Sequence, residues 1–390
     1  MLHLSSPSFL LVAGMLVGLL HLSRRRRNRL PLPPGPPKLP LLGNLLDMPV
    51  SSEWETYWRW SKECNSDIIH LDAAGTSIVV LSSIAATTDL LDKRSTLYSD
   101  RPRLPMLNEL MGWDFNFVLL YIPRWVPGAG FKRIAHEWRK LSIALVNQPF
   151  DETKRQLATG DAPPSFTSSL LTATTPIEHE VIKNAAATTY SAGADTTVAV
   201  LGKFMLAMLA NPEAQRRAQS EIDVVCGGRL PGFEMFKESD TTMPFVSAII
   251  RELFRWQPTV PFVPHFIETE DEYRGFRIPA QSIVVGNIWA ILQDEERYPD
   301  AKSFVPDRWL LPSGALNPEM HSDTWQFGFG FRTSCLRGAI SCVVVPVDNH
   351  CFDPEPPNEF VEGLIRQPVP FKCSIKPRSV EAEMTIRETE

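Results

Sequence analysis

No two of the six cysteines (Cys64, Cys226, Cys335, Cys342, Cys351, Cys373) form a CxxC pair. So few, spread over 390 residues, predict neither a disulfide scaffold nor a structural zinc site. Positive charge is not in surplus either. The chain has 39 Lys and Arg against 45 Asp and Glu, for a net charge of -6, which argues against a nucleic-acid partner held by a basic surface. Internal repeats and a low-complexity domain are also lacking. At 44% apolar and 22% charged, the composition excludes a mainly disordered chain and leaves room for a sizeable core. What is present in excess is proline. Its 34 copies are about 9% of the chain against a usual ~5%, so long stretches must run as loops between helices.

Residues 1–23 hold no Asp, Glu, Lys or Arg, and 9–22 are almost wholly apolar. Arg24, Arg25, Arg26, Arg27 and Arg29 follow at once. A helix over the first 22 residues would span about 33 Å, enough for a bilayer core. A cleaved signal peptide would need basic residues before the run and a small-residue cleavage site after it, and neither is there. The expectation is a single transmembrane signal anchor over 1–23. The arginines, and all that follows them, then stay cytosolic. No later helix is expected to offer an uninterrupted apolar span of comparable length. A basic and proline-rich hinge (24–52) comes next. Its run Leu30-Pro31-Leu32-Pro33-Pro34-Gly35-Pro36-Pro37 reads as a stiff extended spacer.

The body is predicted as mainly α with small β-sheet elements. Helical spacing covers 54–64, 83–94, 212–225 and 244–257, and a long helix runs from Thr175-Pro176 to Ala210. Strand-like pieces fall at 68–71, 77–81, 262–266, 275–278 and 282–285. The stretch 104–150 is hard to parse, its apolar clusters broken by Pro123, Pro127 and Gly130.

Four constellations carry possible chemistry. Ala192-Gly193-Ala194-Asp195-Thr196-Thr197 interrupts the long helix with a glycine that costs ~1 kcal/mol and two β-branched residues. It reads either as two helices with Asp195 as N-cap, or as one helix opened over a cofactor so that acid and hydroxyl relay protons. Glu252-Leu253-Phe254-Arg255 places opposite charges at i and i+3, by default a solvated ion pair. Phe304-Val305-Pro306-Asp307-Arg308-Trp309 is by itself a loop with an arginine. Phe327-Gly328-Phe329-Gly330-Phe331-Arg332-Thr333-Ser334-Cys335 lets backbone approach something flat and large, with a thiolate to follow.

In this order, behind an apolar amino end and a proline hinge, these segments resemble the cytochrome P450 family, closest to its fungal microsomal members. The resemblance implies a P450-like fold over 53–378, before a polar tail at 379–390. It also implies a haem-thiolate monooxygenase carrying haem b, with Cys335 as the metal ligand. Asp195 and Thr196 would be the acid–alcohol pair that delivers protons. Phe327, Gly328 and Gly330 would cradle the ring, and Arg332 and His265 would bind its propionates. Glu252, Arg255 and Arg308 would form a structural ion pair behind it. Electrons would come from NADPH through a separate membrane-bound reductase, and the substrates would be O2 and a small apolar organic molecule. Placement in the endoplasmic reticulum membrane follows, with lipid met through the anchor and no nucleic-acid partner.

The chain departs from the family pattern in two places. Ser334 occupies the cysteine slot, Cys335 follows one residue late and Gly338 two residues late. After them 339–367 is irregular, with Pro346 and Pro354 where an apolar helix is required. On the order of 100 residues are missing near 118–121, well beyond ordinary loop variation. The fold is therefore expected to be incomplete. Two alternatives to an active enzyme remain: an impaired family remnant or mis-spliced product, and a membrane-tethered interaction protein.

Overall fold

The computed structural model describes residues 30–102, 131–173, 178–227, 239–320, 347–351, 359–361, 363, 365–377 and 380–387. The expected anchor, the missing segment near 118–121 and the glycine-rich loop at 327–335 lie outside these residues. In chain order the elements begin with α1 (Glu53–Glu63), β1 (Ile68–Ala73), β2 (Thr76–Leu81), α2 (Ile84–Thr87) and α3 (Ser95–Tyr98). Next come the helices α4 (Phe131–Thr159), α5 (Phe166–Leu171), α6 (His179–Ala210), α7 (Pro212–Cys226), α8 (Ser239–Thr242) and α9 (Pro244–Trp256). Strands β3 (Val263–Ile267), β4 (Asp271–Tyr273), β5 (Phe276–Ile278) and β6 (Ser282–Gly286) lead into α10 (Ile288–Leu292). The chain closes with β7 (Val347–Cys351), β8 (Phe360–Val361), β9 (Gln367–Pro368), β10 (Cys373–Pro377) and α11 (Val380–Arg387). The order is mainly helical with small sheets.

The chain divides into two compact units, Met1–Asp100 with Phe262–Ile291, and Arg101–Pro261 with Leu292–Glu390. The first unit is built on a sheet of order β1-β2-β6-β3, in which β2 and β6 run parallel and the other pairs antiparallel. Strand alternation sends Ile68, Val79, Leu81 and Val284 to one core, with Leu90 and Tyr98. Ile69, Leu71, Val80 and Val285 go to the other, against Tyr57 and Trp60 of α1. Both faces are covered, which accounts for the almost continuous apolar reading of these strands.

The proline run is no free spacer. Proline lacks a backbone donor, but its carbonyls still accept. Pro34 O takes the His70 amide at 2.8 Å and Pro31 O takes that of Arg277 at 2.8 Å, so the run lies along this unit. A Cβ on Gly35 would sit 2.2 Å from His70 O, so only glycine allows the approach. The predicted helix at 83–94 is also broken up. Ser83 caps α2 by accepting from Ala86 N at 3.1 Å, a π-helical turn (Thr88–Asp92) follows, and α3 carries the chain to Tyr98.

In the second unit α6 starts at His179, beyond the predicted Pro176, and runs unbroken to Ala210. Its inward residues, Val200, Phe204 and Met208 among them, pack with Ala218 and Ile222 of α7 and Ile249, Leu253 and Trp256 of α9. Pro244 opens α9, and the Glu221 carboxylate accepts from the Phe245 and Val246 amides at 3.0 and 2.8 Å, capping that helix from α7. Contrary to expectation, α6 is long and apolar enough to cross a membrane. Its carboxy-terminal half packs into this core through Val200, Phe204, Leu206, Ala207 and Met208. The unparsed stretch yields α4, 29 residues long and passing through Pro149.

Candidate active site

The most completely built polar centre belongs to the second unit. On α9, Glu252 and Arg255 share the face turned toward the segment 292–309, and both are buried, at 0% and 1% exposure. Solvated pairs are worth little, so burial decides that this is a different object. Arg255 donates from Nε to Glu252 Oε2 and from Nη2 to Oε1, both at 2.8 Å, the bidentate fork that suits guanidinium to carboxylate. Its remaining donors go to Leu292 O, Ala301 O and Ser303 O at 3.0, 2.7 and 3.0 Å. Arg308 Nε reaches Glu252 Oε1 at 3.1 Å, and its other nitrogens donate to Pro299 O and Asp300 O. The default of a solvated pair is thereby replaced. Three side chains and five main-chain carbonyls hold the meander against α9.

Two partners of Glu252 escaped the sequence reading. Trp309 Nε1 donates to Oε2 at 2.9 Å and the Val305 amide to Oε1 at 2.9 Å. The indole was the available signal, since a buried Trp beside Arg308 must find an acceptor.

On α6 the expected pair is split between faces. Thr196 is buried, whereas Asp195 is exposed. Neighbouring helix positions do not face each other, and α6 is neither opened nor divided at Asp195, so both readings of the AGADTT segment fail in their local geometry. Instead Thr196 Oγ1 donates back to Ala192 O at 2.7 Å, the bond that lets a helix carry a threonine internally. Two turns on, Lys203 is buried with Nζ donating to Gln257 O at 3.0 Å and Thr259 Oγ1 at 3.1 Å. Burial pulls its ammonium well below the ordinary lysine value, and the nearby Arg366 adds to the shift. No pattern singled Lys203 out beyond its place in an apolar run.

His265 belongs to the first unit, on β3. It is buried, and its Nδ1 donates to Tyr98 O at 2.8 Å. With that proton committed, Nε2 carries one only in the imidazolium, a form that an adjacent carboxylate favours. The residue therefore fits an anionic group such as a haem propionate. Thr196 fits a proton carrier, since its oxygen keeps acceptor capacity while its proton is donated. Phe327, Gly328, Gly330, Arg332 and Cys335 fall outside the described residues.

The family model described as cytochrome P450 matches residues 106–336. A cytochrome P450 monooxygenase of Postia placenta is 34% identical, over 93% of this chain and 94% of its own length. One of Rhodocybe pseudopiperita is 33% identical over 91% of each chain. The tryptamine 4-monooxygenase of Psilocybe cyanescens is 31% identical over 95% of this chain and 98% of its own. The first of these alignments is 490 positions long, of which a 390-residue chain can fill only part. The relatives therefore carry residues to which nothing here corresponds. On the family match and on this identity across nearly the whole chain, it belongs to the cytochrome P450 family of monooxygenases, which are oxidoreductases.

Proposed function

We propose that this chain is a haem-thiolate monooxygenase, tethered to the endoplasmic reticulum membrane by residues 1–23 with its catalytic part in the cytosol. It inserts one oxygen atom of O2 into a small apolar organic substrate, in secondary metabolism or xenobiotic oxidation. The observation that carries the reading is the buried Glu252–Arg255–Arg308 centre, whose donors are satisfied as a working scaffold requires. When bound, haem b would supply the activation of dioxygen, helped by an electron-rich thiolate ligand. Cys335 provides that thiolate; a serine hydroxyl at position 334 is far too weak an acid to do so. Arg332 and His265 hold the propionates, and Phe327, Gly328 and Gly330 give the loop its close approach. Thr196 delivers protons on the buried face of α6, and Asp195, on the exposed face, collects them from solvent. A separate NADPH-dependent reductase provides electrons. Val260-Pro261-Phe262-Val263 forms part of the substrate edge.

A second reading is favoured by the length of the relatives' alignments: a family remnant that cannot hold haem productively. The carbon monoxide difference spectrum of the reduced protein separates the two. The thiolate-type band is expected at partial occupancy, lost in Cys335→Ser and kept in Cys342→Ser. Loss in Cys342→Ser alone would overturn the assignment of the ligand. A wild-type chain that takes up no haem is the remnant.

A further inference from the structure

Two cysteines with no motif between them become partners in the second unit. Strand β7 ends at Cys351, β10 begins at Cys373, and the two positions are opposed in the antiparallel ladder. The pairing also has a phase. Opposed residues in such a ladder alternate between pairs that exchange both main-chain bonds and pairs that exchange none. Proline has no N–H to give, so Pro377 and Val347 must be a pair of the second kind. Stepping two and then four residues along the register makes Ile375–Asn349 and Cys373–Cys351 pairs of that kind too. Their Cα atoms lie about 4.5 Å apart, against about 5.5 Å in the other kind, with side chains closer. A disulfide spans Cα separations of about 4.4–6.8 Å, so the two positions are within its reach. Cys373 is a free, partly exposed thiol that a small oxidant can approach.

We infer that Cys351 and Cys373 are a redox-responsive dithiol, closed to a disulfide by a glutathione-type disulfide and reopened by the reduced thiol. The Cys373 thiolate attacks one sulfur of the oxidant, whose S–S bond breaks and whose other half leaves as a thiol. The Cys351 thiolate then displaces the second half, and the Cys351–Cys373 bond forms. The protein gives up two electrons and two protons, and the oxidant takes them as two thiols. In a cytosolic setting such a bond is transient and redox-sensing, not part of a scaffold. What it encloses gives it something to hold. Between β7 and β10 the chain makes the β8–β9 hairpin, with Phe360 opposite Pro368. Phe360 stands edge-on to Trp256 at 6.3 Å, and the Arg366 amide donates to Thr259 O at 2.8 Å. A Cβ on Gly202 of α6 would meet the Pro368 ring at 3.5 Å. Closing the bond ties the neck of this hairpin and tightens its hold on α6. Neither cysteine is the proposed iron ligand, so the pair works with or without haem.

The full chain would be equilibrated in detergent with oxidised and reduced glutathione, alkylated, digested and mapped by mass spectrometry. A peptide linking 351 to 373 is expected in excess oxidised glutathione, and its loss on return to excess reduced glutathione. Oxidation should slow amide hydrogen exchange across 360–368 by at least about tenfold, an effect that Cys351→Ser removes. Moving one partner tests the register. In Cys351→Ser/Asn349→Cys the new pair is diagonal, about 7–8 Å apart and beyond disulfide range, so linking to Cys373 should fall at least about tenfold. Linking that survives the move, or that runs equally fast in urea, would overturn the pairing. So would Cys373 found only as a thiol or glutathione adduct, or bonded instead to Cys335 or Cys342. Unchanged exchange at 360–368 in the linked chain would overturn the hold on α6.

Discussion

Glu252→Ala is expected to destabilise the protein by about 3–5 kcal/mol, the cost of breaking a buried pair by removing one partner. The size follows from what is left behind. Two guanidinium groups, Arg255 at 1% side-chain exposure and Arg308 at 8%, lose their counter-charge where little solvent reaches Arg255 and only the rim of Arg308 is wet. The Trp309 indole and the Val305 amide lose their acceptor as well. Five hydrogen bonds converge on this carboxylate, and an unmet buried donor costs about 1–3 kcal/mol. Glu252→Gln keeps one oxygen but points an amide donor at donors, so it should fall between parent and alanine. Urea unfolding followed by circular dichroism gives the measurement. The loss should persist in high salt, because screening reaches a buried pair weakly. A change within about 0.5 kcal/mol would return Glu252 to an ordinary solvated position.

This centre was legible only through the family resemblance. Spacing alone put Glu252 and Arg255 on one helix face as a solvated pair and left Arg308 as an arginine in a loop. Elsewhere the same reading failed for identifiable reasons. The helix α4 passes through Pro149 and begins just after Gly130, so the punctuation that ordinarily ends a helix sits within and against one. For the proline run, local preference suggested a stiff spacer but could not say which carbonyls would meet the donors of His70 and Arg277. At Asp195 and Thr196 the residues were identified and the local geometry was not. The cost of Gly193 and two threonines suggested a break, yet packing of Ala199, Val200 and Phe204 on one side keeps α6 whole. Tertiary burial outweighed about 1 kcal/mol of propensity.

Lys203 was the least legible of all, and it gives the second large expected effect. Lys203→Met should raise stability at neutral pH and remove most of the pH dependence on the alkaline side. Among the described residues no carboxylate pairs with this ammonium; its partners are Gln257 O and Thr259 Oγ1. Burial and, secondarily, Arg366 depress its folded pKa well below 10.5. Between that depressed value and 10.5, the unfolded chain holds a proton that the folded chain does not. Stability therefore rises with pH through this window, by up to about tenfold in the folding equilibrium per unit. The substitution forfeits two hydrogen bonds, worth about 1 kcal/mol each, and removes a buried cation whose desolvation costs several. Desolvation wins at pH 7, and methionine has the length and flexibility to fill the space. Above about pH 10.5 the ranking should reverse, because a neutral amine keeps both bonds at no charge penalty. Urea midpoints from pH 6 to 11 would trace the crossing. A variant no more stable than the parent at pH 7, or one with the parent's slope, would mean that Lys203 stays charged inside α6 with a counter-ion of its own.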